Sequence, residues 1–335
     1  MTGYSTSKLP DLNRLLKQVS RSFYLSIRIL PREVRPQIGL TYLLARATDT
    51  VADTRSAPVA VRRAILQGMR MEIAAAVAGD RIQSPGLAGM SELMAPIDRA
   101  LLESFPAVLD TLRGCSNSDR RYMGDVLAAI TGGQEMDLSR FGDTDSGQIA
   151  AFDTDEELDD YTYRVAGCVG EFWTRMCRSH LFPEAKAPDA LLLEKGVRFG
   201  KGLQLVNILR DLPKDLRQGR CYIPLASLAE RGLSPQALLD PAAMETFQPF
   251  YDRYLRQAEE YLEDGRAYVD LLPSSQLRVR LACTLPMSIG VRTLALLRAR
   301  NVLDGRHTIK VNRAEIRRLI FISLLRCLRP ARNPR

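Results

Sequence analysis

Apolar residues recur at intervals of three and four positions along most of this chain. The pattern is clear in residues 12–19 and again in residues 281–289, where the apolar positions line one face of a helix. Runs that alternate between apolar and polar residues, as half-buried strands do, are missing from the sequence. The pattern therefore predicts an all-α protein.

Turn-forming residues interrupt the helical pattern at five places. The breaks fall at residues 31–36, 84–89, 141–152, 182–188 and 212–224. None of them is a long linker rich in proline, glycine or serine, and no internal repeat exists beyond two short acidic motifs. We therefore predict one domain over residues 1–335, which ends in a basic helix or tail from residue 292 onward.

Composition narrows the class of protein. Of the 335 residues, 46% are apolar and 26% are charged, which is ordinary for a globular protein. No run of 18 uninterrupted apolar residues is present, and the first residues lack the apolar core of a signal peptide, so we expect neither a transmembrane helix nor export. Six scattered cysteines without CxxC or Cys/His spacing indicate reduced thiols rather than a zinc site. These features predict a cytoplasmic protein.

Positive charge is concentrated at the C-terminal end. The net charge is +8, and residues 292–335 hold 12 Lys/Arg against 2 Asp/Glu. Such a segment favours anionic partners, and nucleic acid is the least favoured of them because the segment has one aromatic residue, Phe321, and no nucleic-acid-binding motif. The apolar run 319–325 is too short to span a bilayer, but its basic flanks fit peripheral contact with the inner face of the membrane. A final helix docked on the core is the alternative.

Two acidic motifs point to the chemistry. Asp49 and Asp53 form the first DxxxD motif, and Asp211 and Asp215 form the second. On a helix, carboxylates four residues apart point the same way and repel each other, so a cation should share the space. Mg²⁺ takes one or two carboxylates and completes its shell with waters and phosphate oxygens. Two facing DxxxD helices would therefore form a clamp for diphosphate, whereas a single such motif is most often a solvated helix face.

Polar residues near the motifs extend the predicted site. Gln204 and Asn207 precede Asp211 on the same helix face and would bind metal or orient water. Arg46 and Arg210 stand close to the motif aspartates and fit bidentate contact with diphosphate, with a surface ion pair as the alternative. Pro213 lies inside the second motif, where we expect the helix to end or kink, so Asp215 is the least secure of the four aspartates.

Four segments, in this order along the chain, resemble the signatures of the squalene/phytoene synthases, the head-to-head prenyl transferases. They are residues 20–23, 42–53, 161–170 and 204–215. The resemblance covers nearly the whole chain. It implies a single-domain α-helical terpenoid-synthase fold around a central cavity, Mg²⁺ as cofactor and a prenyl diphosphate as substrate.

The resemblance also implies roles for individual residues. Tyr161, the first tyrosine of the central motif, is expected to be catalytic, together with Arg210 and with Arg220, which we place on a mobile glycine-containing loop. The expected metal ligands are Asp49, Asp53, Gln204, Asn207, Asp211 and Asp215. The residues expected to bind the substrate diphosphate are Ser20, Arg21, Ser22, Tyr42 and Arg46. For the two serines a helix N-cap is the alternative, and for Tyr161 simple packing at a helix start.

The central and C-terminal segments look more like squalene synthase than phytoene synthase. Residues 308–313 resemble the region of squalene synthases that contacts the NADPH phosphate, so Lys310 and Arg313 are expected to bind NADPH. The sequence has no GxGxxG motif after a strand, which excludes a Rossmann-type site for this cofactor. We expect condensation of two farnesyl diphosphates to presqualene diphosphate and reduction to squalene.

Ala282 and Met287 depart from the squalene synthase pattern. The alternatives are a phytoene or dehydrosqualene synthase without reduction, an enzyme that stops at presqualene diphosphate or makes hydroxysqualene, and a non-catalytic assembly factor.

Overall fold

The computed structural model describes residues 9–19, 23–82, 94–142, 148–306 and 308–328. Helices dominate this part of the chain, and the prediction of an all-α protein is confirmed. The α-helices are α1 (Leu9–Val19), α2 (Phe23–Ile29), α3 (Arg35–Asp53), α4 (Val59–Ala78), α5 (Pro96–Glu103), α6 (Phe105–Arg113), α7 (Asn117–Phe141), α8 (Asp155–Thr162), α9 (Cys168–His180), α10 (Asp189–Arg217), α11 (Leu225–Ala229), α12 (Met244–Leu271), α13 (Leu277–Arg298) and α14 (Arg313–Leu328). A π-helical segment, Tyr163–Gly167, joins α8 to α9.

The residues divide into two compact units, and α7 and α9 contribute residues to both. Unit 1 contains Met1–Leu138 and Arg175–Pro183, and unit 2 contains Ser139–Thr174 and Glu184–Arg335. The single domain expected from the sequence stays a prediction.

In unit 1, helix α3 packs against α1, α4, α5 and α6 and buries one apolar face with Leu44 and Val51. Its C-terminal end, which carries the first acidic motif, is held by the buried guanidinium of Arg62. That group donates hydrogen bonds to the carbonyl oxygens of Ala52, at 2.8 Å, and Ala57, at 3.1 Å. Because helix ends leave carbonyl groups without intrahelical partners, these bonds fix the last turn of α3 and the chain that follows it.

In unit 2, helix α10 is the central element and packs against α12, α13 and the π-helical segment. The helices approach closely where small residues meet. A Cβ atom added to Gly170 would collide with the carbonyl oxygen of Gly196, and one added to Gly200 would collide with the carbonyl oxygen of Ala166. Glycine is therefore required at both positions, because the backbones themselves are in contact.

Two short strands occur in the described residues of unit 2. Strands β1 (Ala150–Ala151) and β2 (Arg220–Cys221) pair in parallel, with Ala150 opposite Arg220. The sequence placed Arg220 on a loop, which is wrong for its backbone. A hydrogen-bonded ladder holds the residue, so the mobility inferred from the neighbouring glycine has no support.

Helix α10 continues past Pro213 to Arg217, so the expectation that the helix ends at this proline is wrong, while a kink at this point stays a prediction. Asp211 and Asp215 both lie inside the helix and keep the i, i+4 relationship. A hydrogen bond from another helix reaches the carbonyl group that the proline leaves without its usual partner.

Helix α13 is apolar throughout most of its length. Within the described residues, it is the one helix that meets the length and hydropathy expected of a membrane span, and 56% of its apolar window is buried inside the protein. It contacts α10, α12 and α14, as a core helix of unit 2 does. All six cysteines lie within the described residues, where they are buried and form no disulfide bond.

Candidate functional site

The first acidic motif occupies the last two turns of α3. Arg46 donates a hydrogen bond to the Asp49 carboxylate at 2.5 Å and lies 3.6 Å from the carboxylate of Asp98 on α5. The side chains of Arg46 and Asp49 are 32% and 44% exposed, so water and ligands can reach both. The motif therefore presents carboxylate oxygens next to one guanidinium group.

The electrostatics of the first motif favour a cation. Partial burial and the carboxylates of Asp53 and Asp137 raise the pKa of Asp49 to about 6, against the opposing effect of Arg46. Burial also raises the pKa of Tyr42, one helical turn before Arg46, with a smaller contribution from Asp49. Tyr42 thus stays a neutral phenol able to donate a hydrogen bond. Crowded carboxylates of this kind gain from a bound divalent ion.

The second acidic motif lies on α10. Arg210 donates two hydrogen bonds to the neighbouring Asp211 carboxylate, at 2.9 and 2.6 Å, and both side chains are about one third exposed. Hydrogen bonding to Asp211 raises the pKa of Arg210 despite burial, and Asp215 adds to the effect. Gln204, which is half-buried, and Asn207, which is exposed, precede Asp211 by seven and four residues on the same helix face.

The carbonyl oxygen of Leu209, two residues before Asp211, has a partner from α12. The buried hydroxyl of Tyr251 donates a hydrogen bond to it at 3.0 Å. Leu209 is the residue whose carbonyl would accept the amide hydrogen of residue 213, and proline has no such hydrogen. The sequence shows that Pro213 lacks the amide hydrogen, but not that Tyr251, 42 residues after Leu209, contacts the same carbonyl oxygen.

Tyr161 sits in a cluster of aromatic rings. Its side chain is 7% exposed and stacks on Tyr222, with ring centroids 5.1 Å apart and an interplanar angle of 23°. The hydroxyl of Tyr161 donates to the Tyr222 hydroxyl at 3.5 Å, and Phe152 packs against both rings. Phe141 contacts Phe152 and Tyr222. Sequence reasoning singled out Tyr161 and missed the other three rings.

The remaining residues of the central motif have their own partners. Tyr163 donates a hydrogen bond to Glu171 at 3.1 Å, and Arg164 donates one to Asp160 at 2.7 Å. Both lie in the π-helical segment. π-helical turns are rare and occur frequently at functional sites.

Other predicted site residues lie elsewhere or outside the described part of the chain. Ser20, Arg21 and Ser22 are outside the described residues. Arg220 is half-buried in β2, and Lys310 and Arg313 are exposed, before and at the start of α14. Asn312 and Glu315 fix that start, since each side chain accepts a hydrogen bond from the backbone N–H of the other.

The carboxylate and amide oxygens of the two acidic motifs are the kind of ligand that Mg²⁺ prefers. Within the described ranges, no group of three or more His, Cys, Asp or Glu side chains is placed to hold a metal. Each motif instead supplies two carboxylates, and the second adds the amide oxygens of Gln204 and Asn207. Mg²⁺ is typically bound by one or two carboxylates and otherwise by waters and substrate phosphates.

An all-α fold with a DxxxD motif on each of two helices is what the resemblance to the head-to-head prenyl transferases implies. The family model described as squalene/phytoene synthase matches residues 16–315. The chain belongs to this family, and the resemblance seen in its motifs is confirmed.

Two curated relatives illustrate the match. The chain is 26% identical over 297 residues to the bifunctional lycopene cyclase/phytoene synthase of Arthroderma gypseum, covering 86% of this chain and 47% of that protein. It is 29% identical over 253 residues to the 15-cis-phytoene synthase of a Synechocystis species, covering 74% of this chain and 65% of that protein. The chain thus spans about half to two thirds of the length of these relatives.

Solved structures share the fold. A TcSQS structure with a bound ligand matches with a TM-score of 0.75 at 20% identity, covering 97% of this chain and 90% of that one. A squalene synthase from Alicyclobacillus acidocaldarius matches with a TM-score of 0.63 at 20% identity, covering 88% and 94%. The predicted terpenoid-synthase fold is therefore confirmed, and its central cavity stays a prediction.

Proposed function

We propose that this protein catalyses the Mg²⁺-dependent head-to-head condensation of two prenyl diphosphates. The observation that carries the proposal is the presence of two intact DxxxD motifs, on α3 and on α10, each beside an arginine that contacts its first aspartate. Family membership supports the same reaction. A non-catalytic assembly factor would have no use for four such carboxylates, so we favour an enzyme.

The first motif would bind one diphosphate through groups that are already accessible. Arg46 and Asp49 form a part-buried ion pair that solvent still reaches, and a metal ion with a phosphate group would give each side chain a new partner of opposite charge. Exchanging the ion pair for these contacts therefore leaves neither charge without a partner. Arg46 can then turn its guanidinium to the diphosphate, and Tyr42 can donate its phenolic hydrogen.

The second motif would bind diphosphate with more support from the protein. The bidentate contact with Arg210 orients the carboxylate of Asp211, and Gln204, Asn207 and Asp215 offer further oxygen atoms. Bound Mg²⁺ would neutralise charge that develops on the departing diphosphate. The serines and arginine of residues 20–22 remain candidates for diphosphate contact.

Tyr161 and its neighbours suit a carbocation reaction. Ionisation of a prenyl diphosphate leaves an allylic cation, which the faces of aromatic rings stabilise and which water would destroy. The cluster of Tyr161, Tyr222, Phe152 and Phe141 combines ring faces with a phenol that can transfer a proton. We assign the catalytic role to Tyr161 and a supporting role to Tyr222. Arg220, two residues before Tyr222, remains a candidate for diphosphate contact.

For substrate and product we propose farnesyl diphosphate and squalene, formed through presqualene diphosphate with NADPH as reductant. The exposed Lys310 and Arg313 would contact the NADPH phosphate. A phytoene-type reaction without reduction is the second candidate, because the curated relatives described above are named phytoene synthases.

We also propose that α14 contacts the inner face of the membrane from the cytoplasm. Phe321 is 63% exposed, and Leu324 and Leu325 share its helix face with the exposed Arg317 and Arg318. The opposite face packs on α13 through Ser323 and Cys327. An apolar face flanked by arginines fits an anionic lipid surface, where a water-insoluble product could leave.

One experiment tests the reaction and separates the candidates. Purified protein is incubated with Mg²⁺ and radiolabelled farnesyl or geranylgeranyl diphosphate, with and without NADPH, and the products are identified by mass. Squalene that forms only when NADPH is present supports the first candidate. Phytoene or dehydrosqualene without NADPH supports the second, and an alcohol means that water captures the cation. No turnover of either diphosphate would refute the proposed reaction.

A further inference from the structure

Pro213 should weaken α10 at the turn that carries the second acidic motif. In a regular helix the amide of residue 213 donates a hydrogen bond to the carbonyl oxygen of Leu209. Proline has no amide hydrogen, and its ring crowds the preceding turn. The helix nevertheless continues without a break to Arg217. An interaction from outside α10 must therefore compensate for the lost hydrogen bond at this turn.

The hydroxyl of Tyr251 supplies that compensation. It donates to the Leu209 carbonyl oxygen at 3.0 Å, and both Tyr251 and Leu209 are completely buried. The ring of Tyr251 packs against Phe247, one turn earlier on α12, with centroids 5.7 Å apart. Burial raises the pKa of Tyr251, so the phenol keeps the hydrogen that it donates.

We propose that Tyr251 is a positioning residue for the second acidic motif. Its hydroxyl takes the place of the amide hydrogen that Pro213 lacks, and it holds Asp211 and Asp215 on one face of an unbroken helix. Without it, a buried carbonyl group would have no partner, and the helix would relieve that penalty by bending or by admitting water. This inference rests on the proposed function, in which Asp211 and Asp215 bind Mg²⁺.

The test uses three variants and the whole chain. Tyr251→Phe removes the hydroxyl and keeps the ring. Pro213→Ala restores the amide hydrogen, and the double variant has the amide hydrogen without the hydroxyl. Binding of Mn²⁺, as a spectroscopic substitute for Mg²⁺, is measured by electron paramagnetic resonance in the presence of inorganic diphosphate. Unfolding by urea is followed in parallel without metal.

We expect Tyr251→Phe to weaken Mn²⁺ binding by about fivefold, the factor that corresponds to one hydrogen bond. The double variant should recover most of that loss, because the amide hydrogen restored by Pro213→Ala bonds the Leu209 carbonyl oxygen from within the helix. Tyr268→Phe is the matched control, since Tyr268 is similarly buried but hydrogen-bonds with Thr174 at 3.1 Å, and Thr174 packs against α10 at Gly196, 15 residues before Asp211. It should lower stability and leave Mn²⁺ binding unchanged.

Two outcomes would overturn the inference. One is a Tyr251→Phe variant that binds Mn²⁺ as the wild type does. The other is a double variant that binds no better than Tyr251→Phe alone. If the wild type itself binds no Mn²⁺ with diphosphate, the proposed function fails. The unfolding data then still report whether the effects of the Tyr251 and Pro213 substitutions are coupled.

Discussion

Tyr161 and Tyr222 stack in parallel, with their ring centroids 5.1 Å apart and their hydroxyl groups 3.5 Å apart. One ring comes from α8, and the other follows β2. A motif residue thereby acquires an aromatic partner 61 positions later in the chain. The pair gives a way to separate the role of the phenol from the role of the ring.

We expect Tyr161→Phe to fold normally and to lose at least about tenfold in product formation. The substitution keeps the stacked ring, so the free energy of unfolding should change by about 1 kcal/mol or less. Loss of a proton-transferring group commonly costs about 10²-fold or more. Tyr222→Phe serves as the control and should retain most activity. Equal losses in the two variants, measured by product assay, would argue against a special role for Tyr161.

The acidic motifs should be indispensable. Asp49→Asn and Asp211→Asn each remove a charged metal ligand, and we expect product formation to fall by several orders of magnitude. Because α10 runs through Pro213, Asp215→Asn should be as damaging as Asp211→Asn. Chelation of Mg²⁺ should abolish activity in the wild type, and added Mg²⁺ should restore it.

Glu259→Gln provides a matched control for these substitutions. Glu259 forms an exposed helix-surface ion pair with Arg298, so its neutralisation should leave turnover unchanged. Near wild-type condensation in the Asp49 and Asp211 variants would contradict the assignment of the motifs.

Replacement of Lys310 and Arg313 by alanine should affect only the reductive step. We expect presqualene diphosphate to accumulate and the apparent affinity for NADPH to fall, since each lost contact with a phosphate is worth about 1.5–3 kcal/mol. Arg300→Ala, another exposed arginine of the basic segment, is the control. An unchanged affinity for NADPH in the double variant would place the cofactor elsewhere.

The stability of unit 2 should depend on pH through Asp264. Burial alone would raise the pKa of this carboxyl, but hydrogen bonds from Lys195, at 2.7 Å, and from Arg198 lower it below its usual range. The folded protein therefore binds the proton less tightly than the unfolded chain does. The stabilisation is present above the unfolded pKa of about 4 and is lost as the pH falls below it.

Urea unfolding at several pH values checks this dependence. Asp264→Asn should be less stable than the wild type at pH 7, and the difference should shrink below about pH 4. A difference that is constant from pH 7 to pH 3 would mean that the carboxyl contributes through packing rather than charge.

Membrane contact through α14 is tested by flotation with vesicles. Phe321→Ser should reduce binding to anionic vesicles, and high salt should weaken binding of the wild type because the arginines act through charge. Leu277→Ser removes another exposed apolar side chain, which lies on α13, and should have no effect. Binding that is insensitive to salt and to Phe321→Ser would leave α14 as an ordinary surface helix.

The helices and the motif residues could be predicted because their signals are local. The 3.6-residue period of apolar positions reports helices directly, and Asp49 with Asp53 is readable as a pair from spacing alone. The continuation of α10 could not be predicted, because the rule for proline is local and the hydroxyl of Tyr251 reaches the Leu209 carbonyl oxygen from another helix. The partners of Tyr161 were hidden for the same reason: Phe152 and Tyr222 come together with it only through the β1–β2 pairing.

The contact between Gly170 and Gly196 sets the register of α10 by backbone atoms rather than by side chains. Rotamer changes of neighbouring residues therefore cannot translate into sliding of the helix along its axis. Thermal motion of the side chains around this contact is therefore decoupled from the position of α10 along its axis at Gly196. A variant that changes those side chains alters the packing around the contact and leaves the axial position of Gly196 unchanged.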